Sequence, residues 1–292
     1  VQVPDGKTEL LGLFGGELGQ SPSPATHSAW AQHANLNWVY LPLPCPSEDS
    51  FLSLATELMQ SVFFRGANIT NPFKVSALKL PNVAWDASVE RCGAANTLYR
   101  SMTPQGECQW RLSNTDIVGC LSSLERIFQS DRMTGISKDH LKVVLLGGGA
   151  MMKTYSAALN LFFQKSNHKP DLTVWTRLDL EKPFPREFPQ GREQATGSSL
   201  MLINTLPCGT SAEADENALR ALHALDASVM TNQKFYLDAG YLESNTRKTA
   251  FQLNWYTVGG AGLFEAQARA SFKLWTGFDA PNLPTALRQT AE

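Results

Sequence analysis

The sequence predicts an α/β protein of two domains, and three observations predict it. At 292 residues the chain exceeds the usual span of a single core. Residues 10–69 alternate short apolar runs with helical patterns in the order β-α-β-α-β, which calls for parallel strands sharing one sheet. A second series opens at Leu141, where a continuous apolar run, three glycines and a helical pattern follow one another as in a mononucleotide-binding unit.

In chain order, strands are expected at 10–15, 38–43 and 66–69, with helices at 23–34 and 51–63 between them. Residues 116–129 read as a long amphipathic helix bridging the two domains, because Ile117, Cys120, Leu121, Leu124, Ile127 and Phe128 keep helical spacing. The polar stretch 130–140 ends it. The second series runs as strand 141–146, Gly147-Gly148-Gly149, helix 151–163 and strand 172–175. Residues 181–199, rich in proline, glycine and charge, read as a surface excursion. Further strands are expected at 200–204 and 235–238, a helix at 213–225, and two last helices, one on each side of Gly277.

Composition narrows the function. With 43% hydrophobic and 18% charged residues the chain is an ordinary soluble globular protein. A net charge of -2 gives no basic footprint for nucleic acid and no membrane-binding run, so a small molecule is the expected partner. The longest apolar stretch, 143–152, is broken by glycines and too short to span a bilayer. No secretory leader is read at the N-terminus. Cys45, Cys92, Cys108, Cys120 and Cys208 are scattered without metal-ligand spacing and are expected as free thiols in a reducing cytoplasm. A first residue other than methionine leaves open processing or excision from a longer polypeptide.

Several segments bear chemistry. In Asn68-Ile69-Thr70-Asn71-Pro72-Phe73-Lys74, Asn71 reads as an N-cap and Pro72 as the first helical residue, so Lys74 falls in the first turn. There the positive end of the helix dipole would make it a better proton donor and acceptor near neutrality, whereas the plain alternative is a solvated surface lysine. Gly147-x-Gly149 after a strand lets backbone N–H groups approach a pyrophosphate. Thr176 and Arg177, standing where an acidic residue would hold a free ribose 2′-hydroxyl, favour a 2′-phosphate, although Asp179 works against it. In Ser21-Pro22-Ser23-Pro24, Ser23 reads as an N-cap, and the two hydroxyls could instead hold a carboxylate. Asp116 reads as the N-cap of its helix and Gln267 as an ordinary polar residue on another.

In order along the chain these pieces resemble the shikimate dehydrogenase family. The resemblance rests on Ser-x-Ser-Pro at 21–24, Asn-Ile-Thr-x-Pro-x-Lys at 68–74, Gly-Ala-x-Asn-Thr at 93–97 and Asn-Thr-Asp-x-x-Gly at 114–119. The glycine turn 147–150, Asp238 with Tyr241 and Thr246, Gly-Leu-Phe-Glu-Ala-Gln at 262–267 and Leu-Trp-Thr-Gly at 274–277 complete it. It implies a substrate-binding α/β domain at 1–115, a Rossmann-like NADP-binding domain at 116–255, and C-terminal helices at 256–292 that return to the first domain, with the active site in the cleft between the domains. It also implies a cytoplasmic enzyme, monomer or homodimer, that reversibly reduces 3-dehydroshikimate to shikimate.

Carried over by residue, the resemblance makes Lys74 and Asp116 the catalytic pair. Ser21 and Ser23 bind the substrate carboxylate with Tyr241 nearby, and Asn68, Thr70, Asn96, Asp116 and Gln267 surround the ring. Gly147, Gly148, Gly149, Ala150, Thr176, Arg177 and Gly262 fall to the cofactor, and no metal is implied. The departures lie mostly on the cofactor side. Met151 and Met152 replace small residues after the glycines, Thr176-Arg177-Leu178 keeps only the arginine of the family's Asn-Arg-Thr, and Leu206 stands where threonine is usual. Ser113 replaces an acidic residue before Asn114. Two other readings therefore stand beside the first: a quinate or quinate/shikimate dehydrogenase using NAD, and a non-catalytic ligand-binding or regulatory relative.

Overall fold

The computed structural model describes residues 3–133, 141–164, 171–176, 199–228 and 233–282. The chain divides into two compact units. The first runs through Ile117 and resumes at Glu265; the second is Val118–Phe264. Each is built on its own sheet.

In the first unit the order is β1 (Glu9–Gly15), α1 (Ser23–His33), β2 (Trp38–Pro44), α2 (Glu48–Gln60), β3 (Phe64–Ile69), a 3-10 turn (Ser76–Lys79), β4 (Val83–Trp85), α3 (Ala87–Cys92), β5 (Thr97–Met102) and β6 (Cys108–Ser113). The sheet order is β2-β1-β3-β5-β6-β4. Strands β1, β2 and β3 are parallel, as the alternating pattern predicts, while β5 runs antiparallel to both β3 and β6. The chain thus leaves β1 toward β2 on one side and returns to β3 on the other. That reversal opens a crevice at the carboxyl ends of β1 and β3, the standard ligand position of an α/β sheet.

Helix α2 begins and ends three residues before its expected bounds. Ser47 caps it, accepting from the Ser50 N–H at 3.2 Å, and Glu48 and Asp49 sit at its positive end. It stops at Gln60 because Phe64 already belongs to β3 and is fully buried. Phe51 on its inner face packs edge-on against Phe14 of β1 and stacks on Phe73 with ring centroids 4.9 Å apart. The opposite face of the sheet carries Leu11, Leu13 and Tyr40, packed with Trp38 and Trp275. At Gly66 of β3, with φ +152, a Cβ would overlap the Leu98 carbonyl and press on the Trp275 indole, so glycine is required where this tryptophan lies on the strand.

The second unit holds β7 (Leu141–Leu146), α5 (Ala150–Phe163), β8 (Asp171–Trp175), β9 (Ser199–Asn204), α6 (Ala212–Ser228), β10 (Lys234–Asp238), α7 (Asn245–Gln252) and β11 (Tyr256–Val258). Its sheet, β11-β10-β9-β7-β8, is parallel throughout, a Rossmann-like arrangement with the direction reversing between β7 and β9. Strands β7 and β9 lie inside the sheet and are almost wholly buried, which explains their unbroken apolar runs. Helices α4 (Asp116–Phe128) and α8 (Ala261–Thr276) carry the chain from one unit to the other. Between Gly119 and the Leu263 carbonyl there is no room for a Cβ. Of the surface excursion expected at 181–199 only Ser199 is described, and it is the first residue of β9; the helix expected after Gly277 lies largely outside the described residues.

Candidate active site

The crevice edge of the first sheet collects most of the side chains singled out from the sequence. Strand β3 ends at Ile69, and Thr70 ties the chain back to β1 by donating its N–H to the Phe14 carbonyl at 2.8 Å. The expected helix at Pro72 is absent. The Asn71–Pro72 peptide bond is cis, residues 71–75 form turns, and Lys74 precedes the short 3-10 turn. The helix-dipole argument for Lys74 is thereby corrected. Buried Phe73 anchors the turn, and the Lys74 carbonyl accepts from the Ala95 N–H at 2.8 Å. What the structure gives Lys74 is an ion pair: Nζ lies 2.6 Å from Asp116 Oδ2, with both side chains largely withdrawn from water.

Asp116 is the first residue of α4 and is buried. It is held by the preceding turn, where the Thr115 N–H donates to Asn96 Oδ1 at 2.7 Å and the Asn96 N–H donates to the Ser113 carbonyl at 3.0 Å. No hydrogen bond among the described residues uses Asp116 Oδ1, nor the Thr70 hydroxyl. Ser113 is itself buried against Ser88 on α3, whose helix Asp86 caps.

Asn68, Asn96 and Gln267 join one buried polar cluster with Tyr40, Thr97, Thr115 and Ser271. Gln267 enters it because α8 places its carboxyl-terminal part in the first unit. Tyr40, Thr97, Thr115 and Ser271 have no role in the sequence reading. A signal existed for Ser271, which follows Gln267 by four residues and so shares its helix face.

Ser23 is the first helical residue of α1 rather than its N-cap; the cap position is Pro22, without a side-chain bond. Ser21 takes over part of that task, accepting the Ser23 N–H at 3.3 Å. Behind them His27 is buried in an aromatic cage, stacked on Tyr40 at 4.7 Å and edge-on to Trp30 and Trp275. Burial lowers its pKa to about 3, the Asn68 side chain opposing weakly, and neither ring nitrogen has a hydrogen-bond partner among the described residues. The imidazole is neutral and serves as packing. Burial likewise raises the Tyr40 phenol, with Ser23 opposing.

The second unit holds the remaining candidates. Gly147, at φ +133, follows β7 at the reversal point; a Cβ there would overlap Thr205 Oγ1, which donates to the Leu146 carbonyl at 2.7 Å. Gly148 and Gly149 are exposed with open space about them, and Gly149 caps α5 without any side-chain hydrogen bond. The first N–H groups of a fourteen-residue helix therefore face an uncluttered glycine turn, which suits a phosphate. Ala150 opens that helix, and Met151 and Met152 follow half-buried. Thr176 follows β8; Arg177 lies outside the described residues. Gly262 is exposed in the first turn of α8, and Tyr241 is half-buried with its ring centroid 5.8 Å from that of Phe264. Asp238 is fully buried and accepts from Ser244 at 2.7 Å and the Gly240 N–H at 3.1 Å; burial raises its pKa.

All five cysteines are free, and burial pushes Cys208 up to about 12, which removes it as a nucleophile. Among the described residues no cluster could hold a metal ion, and no helix is long and apolar enough to cross a membrane.

Residues 13–98 match the family model of the shikimate dehydrogenase substrate binding domain. The NADP(+) shikimate dehydrogenase of Pelobacter propionicus is 29% identical over 282 residues, spanning 96% of this chain and 94% of that protein. The crystal structure of shikimate dehydrogenase from Aquifex aeolicus superposes with a TM-score of 0.70 at 21% identity, covering 99% of each chain. Shikimate 5-dehydrogenase from Thermus thermophilus, solved with NADP(H) and shikimate, gives 0.64 at 20% identity over 97% of this chain and 98% of that one. These structures share the fold.

Proposed function

We propose that the chain is a shikimate dehydrogenase, an NADP-dependent oxidoreductase interconverting 3-dehydroshikimate and shikimate in aromatic amino acid biosynthesis, a reading supported by the match of its first domain and by its similarity to NADP(+) shikimate dehydrogenases. The observation that carries the proposal is the Lys74–Asp116 pair, 2.6 Å apart at the crevice edge of β3. Bound NADPH supplies the hydride; the rest falls to the chain's own residues. Hydride addition builds negative charge on the ketone oxygen, and the Lys74 ammonium stabilises that charge and donates the proton. In the oxidation direction the same amine, neutral, takes the alcohol proton. Asp116 orients Lys74 through Oδ2 and offers Oδ1 to a ring hydroxyl. Ser21 and Ser23 hold the substrate carboxylate with Tyr241, and Thr70, Asn96 and Gln267 line the ring.

For the cofactor, Gly147, Gly148 and Gly149 with the N-terminus of α5 at Ala150 would take the pyrophosphate, with Gly262 close to the nicotinamide end. Thr176 and Arg177 would take the ribose 2′-phosphate. The free cysteines agree with a cytoplasmic enzyme, which we take to act as a monomer or homodimer.

Steady-state kinetics with shikimate and quinate, each with NADP+ and NAD+, tests the proposal. We expect the highest kcat/KM for shikimate with NADP+. A preference for quinate with NAD+ would establish the quinate dehydrogenase reading, and binding without turnover the non-catalytic one.

A further inference from the structure

Two backbone groups set the direction of the buried polar cluster behind the proposed site. The Asn96 carbonyl can only accept, and Asn68 Nδ2 lies 3.3 Å from it. This turns the nitrogen end of Asn68 toward Thr97 Oγ1 at 3.2 Å and Ser271 Oγ at 2.9 Å, and leaves Oδ1 to accept from the Tyr40 hydroxyl at 2.9 Å. With one Asn68 hydrogen on the Asn96 carbonyl and the other shared between the Thr97 and Ser271 hydroxyls, the Thr97 hydroxyl in turn donates to Asn96 Oδ1, an oxygen that can only accept, 2.9 Å away. The Thr115 N–H, which can only donate, meets that same oxygen at 2.7 Å, and the Thr115 hydroxyl reaches it at 3.0 Å.

Asn96 Oδ1 is thus fully engaged inward. Its Nδ2 turns outward, giving one hydrogen to Gln267 Oε1 at 3.3 Å, and this leaves Nε2 as the outward end of Gln267. No hydrogen bond among the described residues uses that nitrogen.

We propose that Tyr40, Asn68, Thr97 and Ser271 are positioning residues that present Asn96 and Gln267 nitrogen-first, so that both amides donate to ring hydroxyl oxygens while Asp116 Oδ1 accepts. This rests on the function proposed above and deepens it. It also changes the part of Asn68, whose amide is engaged at both ends within the protein and acts through its neighbours instead of touching the ring.

The test is the KM-against-kcat split in Thr97→Val and Tyr40→Phe, the second keeping the stack on His27. Losing one buried hydrogen bond in the relay should raise KM for shikimate about tenfold in Thr97→Val and about threefold in Tyr40→Phe. kcat should stay within about twofold and KM for NADP+ should not move, a pattern that general destabilisation does not produce. In an Asn96→Ala background Thr97→Val should add nothing further, because the group it orients is gone. An unchanged KM for shikimate in both variants overturns the network alone, as does full additivity with Asn96→Ala. A parent protein that does not turn over shikimate overturns the network and the functional reading together.

Discussion

The two units place a candidate site at the same point of similar sheets and furnish it differently. In each, parallel strands reverse their winding and the carboxyl ends at the reversal carry the groups of interest. At β1 and β3 these are side chains: Ser21, Ser23, Thr70 and Lys74, with Asp116 brought in from α4. At β7 and β9 it is bare backbone, with Gly147 close against Thr205 and Gly149 at the cap position giving the α5 N-terminus no side-chain hydrogen bond. Moving a proton needs titratable groups at fixed distance, whereas holding a phosphate needs N–H groups and the absence of anything in the way.

Breaking the comparison should therefore give opposite signatures. Second only to loss of Lys74, Asp116→Asn should lower kcat about hundredfold or more, with KM for NADP+ unchanged, as read by steady-state kinetics. Gly149→Glu should do the reverse. A carboxylate at the α5 N-terminus competes with the pyrophosphate and should raise KM for NADP+ about thirtyfold while KM for shikimate holds. The same charge favours the helix, so thermal unfolding should not occur earlier, which separates cofactor loss from damage to the fold.

His27 sharpens the contrast through stability. Its pKa of about 3 in the fold, against 6.5 when free, means the unfolded chain binds the proton more tightly between those values. The stabilisation is complete above the free value and is lost as pH falls toward the folded one. From pH 7 to pH 5 this residue alone should cost about 2 kcal/mol of stability, and His27→Phe should remove that part of the slope in denaturant titrations. The smallest effect is expected at Met151. Since it is half-buried on α5 beyond the glycine turn, Met151→Ala should shift KM for NADP+ only about twofold, measured by NADP+ saturation.

Legibility in the sequence followed the range of the interactions. The parallel strands β1, β3, β7, β9 and β10 declare themselves because their neighbours bury them into apolar runs, whereas β2, at the sheet edge with only Tyr40 buried, is read from its place in the alternating order. The hairpin of β5 and β6 was missed although Pro104 and Gly106 mark its turn, since its exposed residues blur the alternation. Asn71-Pro72 was misread because residues that start helices also make turns, and burial of Phe73 against Phe51, distant in sequence, decides between them. The ion pair joins residues 42 apart, and the Asn68–Ser271 bond residues 203 apart. Motifs could name Lys74, Asp116, Asn96 and Gln267 as members of one site. Of the hydroxyls behind them, Thr97 and Thr115 stand inside the motifs and Ser271 shares a helix face with Gln267, but their bonding, and any part for Tyr40, becomes visible only when the chain is folded.

The central claim is that the Lys74 amine, paired with Asp116, moves the proton while its neighbours bind the ring. The most direct measurement is turnover of shikimate with NADP+ by Lys74→Met, which keeps length and removes charge, alongside calorimetric binding of shikimate to the same variant. The account predicts a loss in kcat of about thousandfold with the Kd for shikimate within about tenfold of the parent. Turnover within a few-fold of the parent would contradict it.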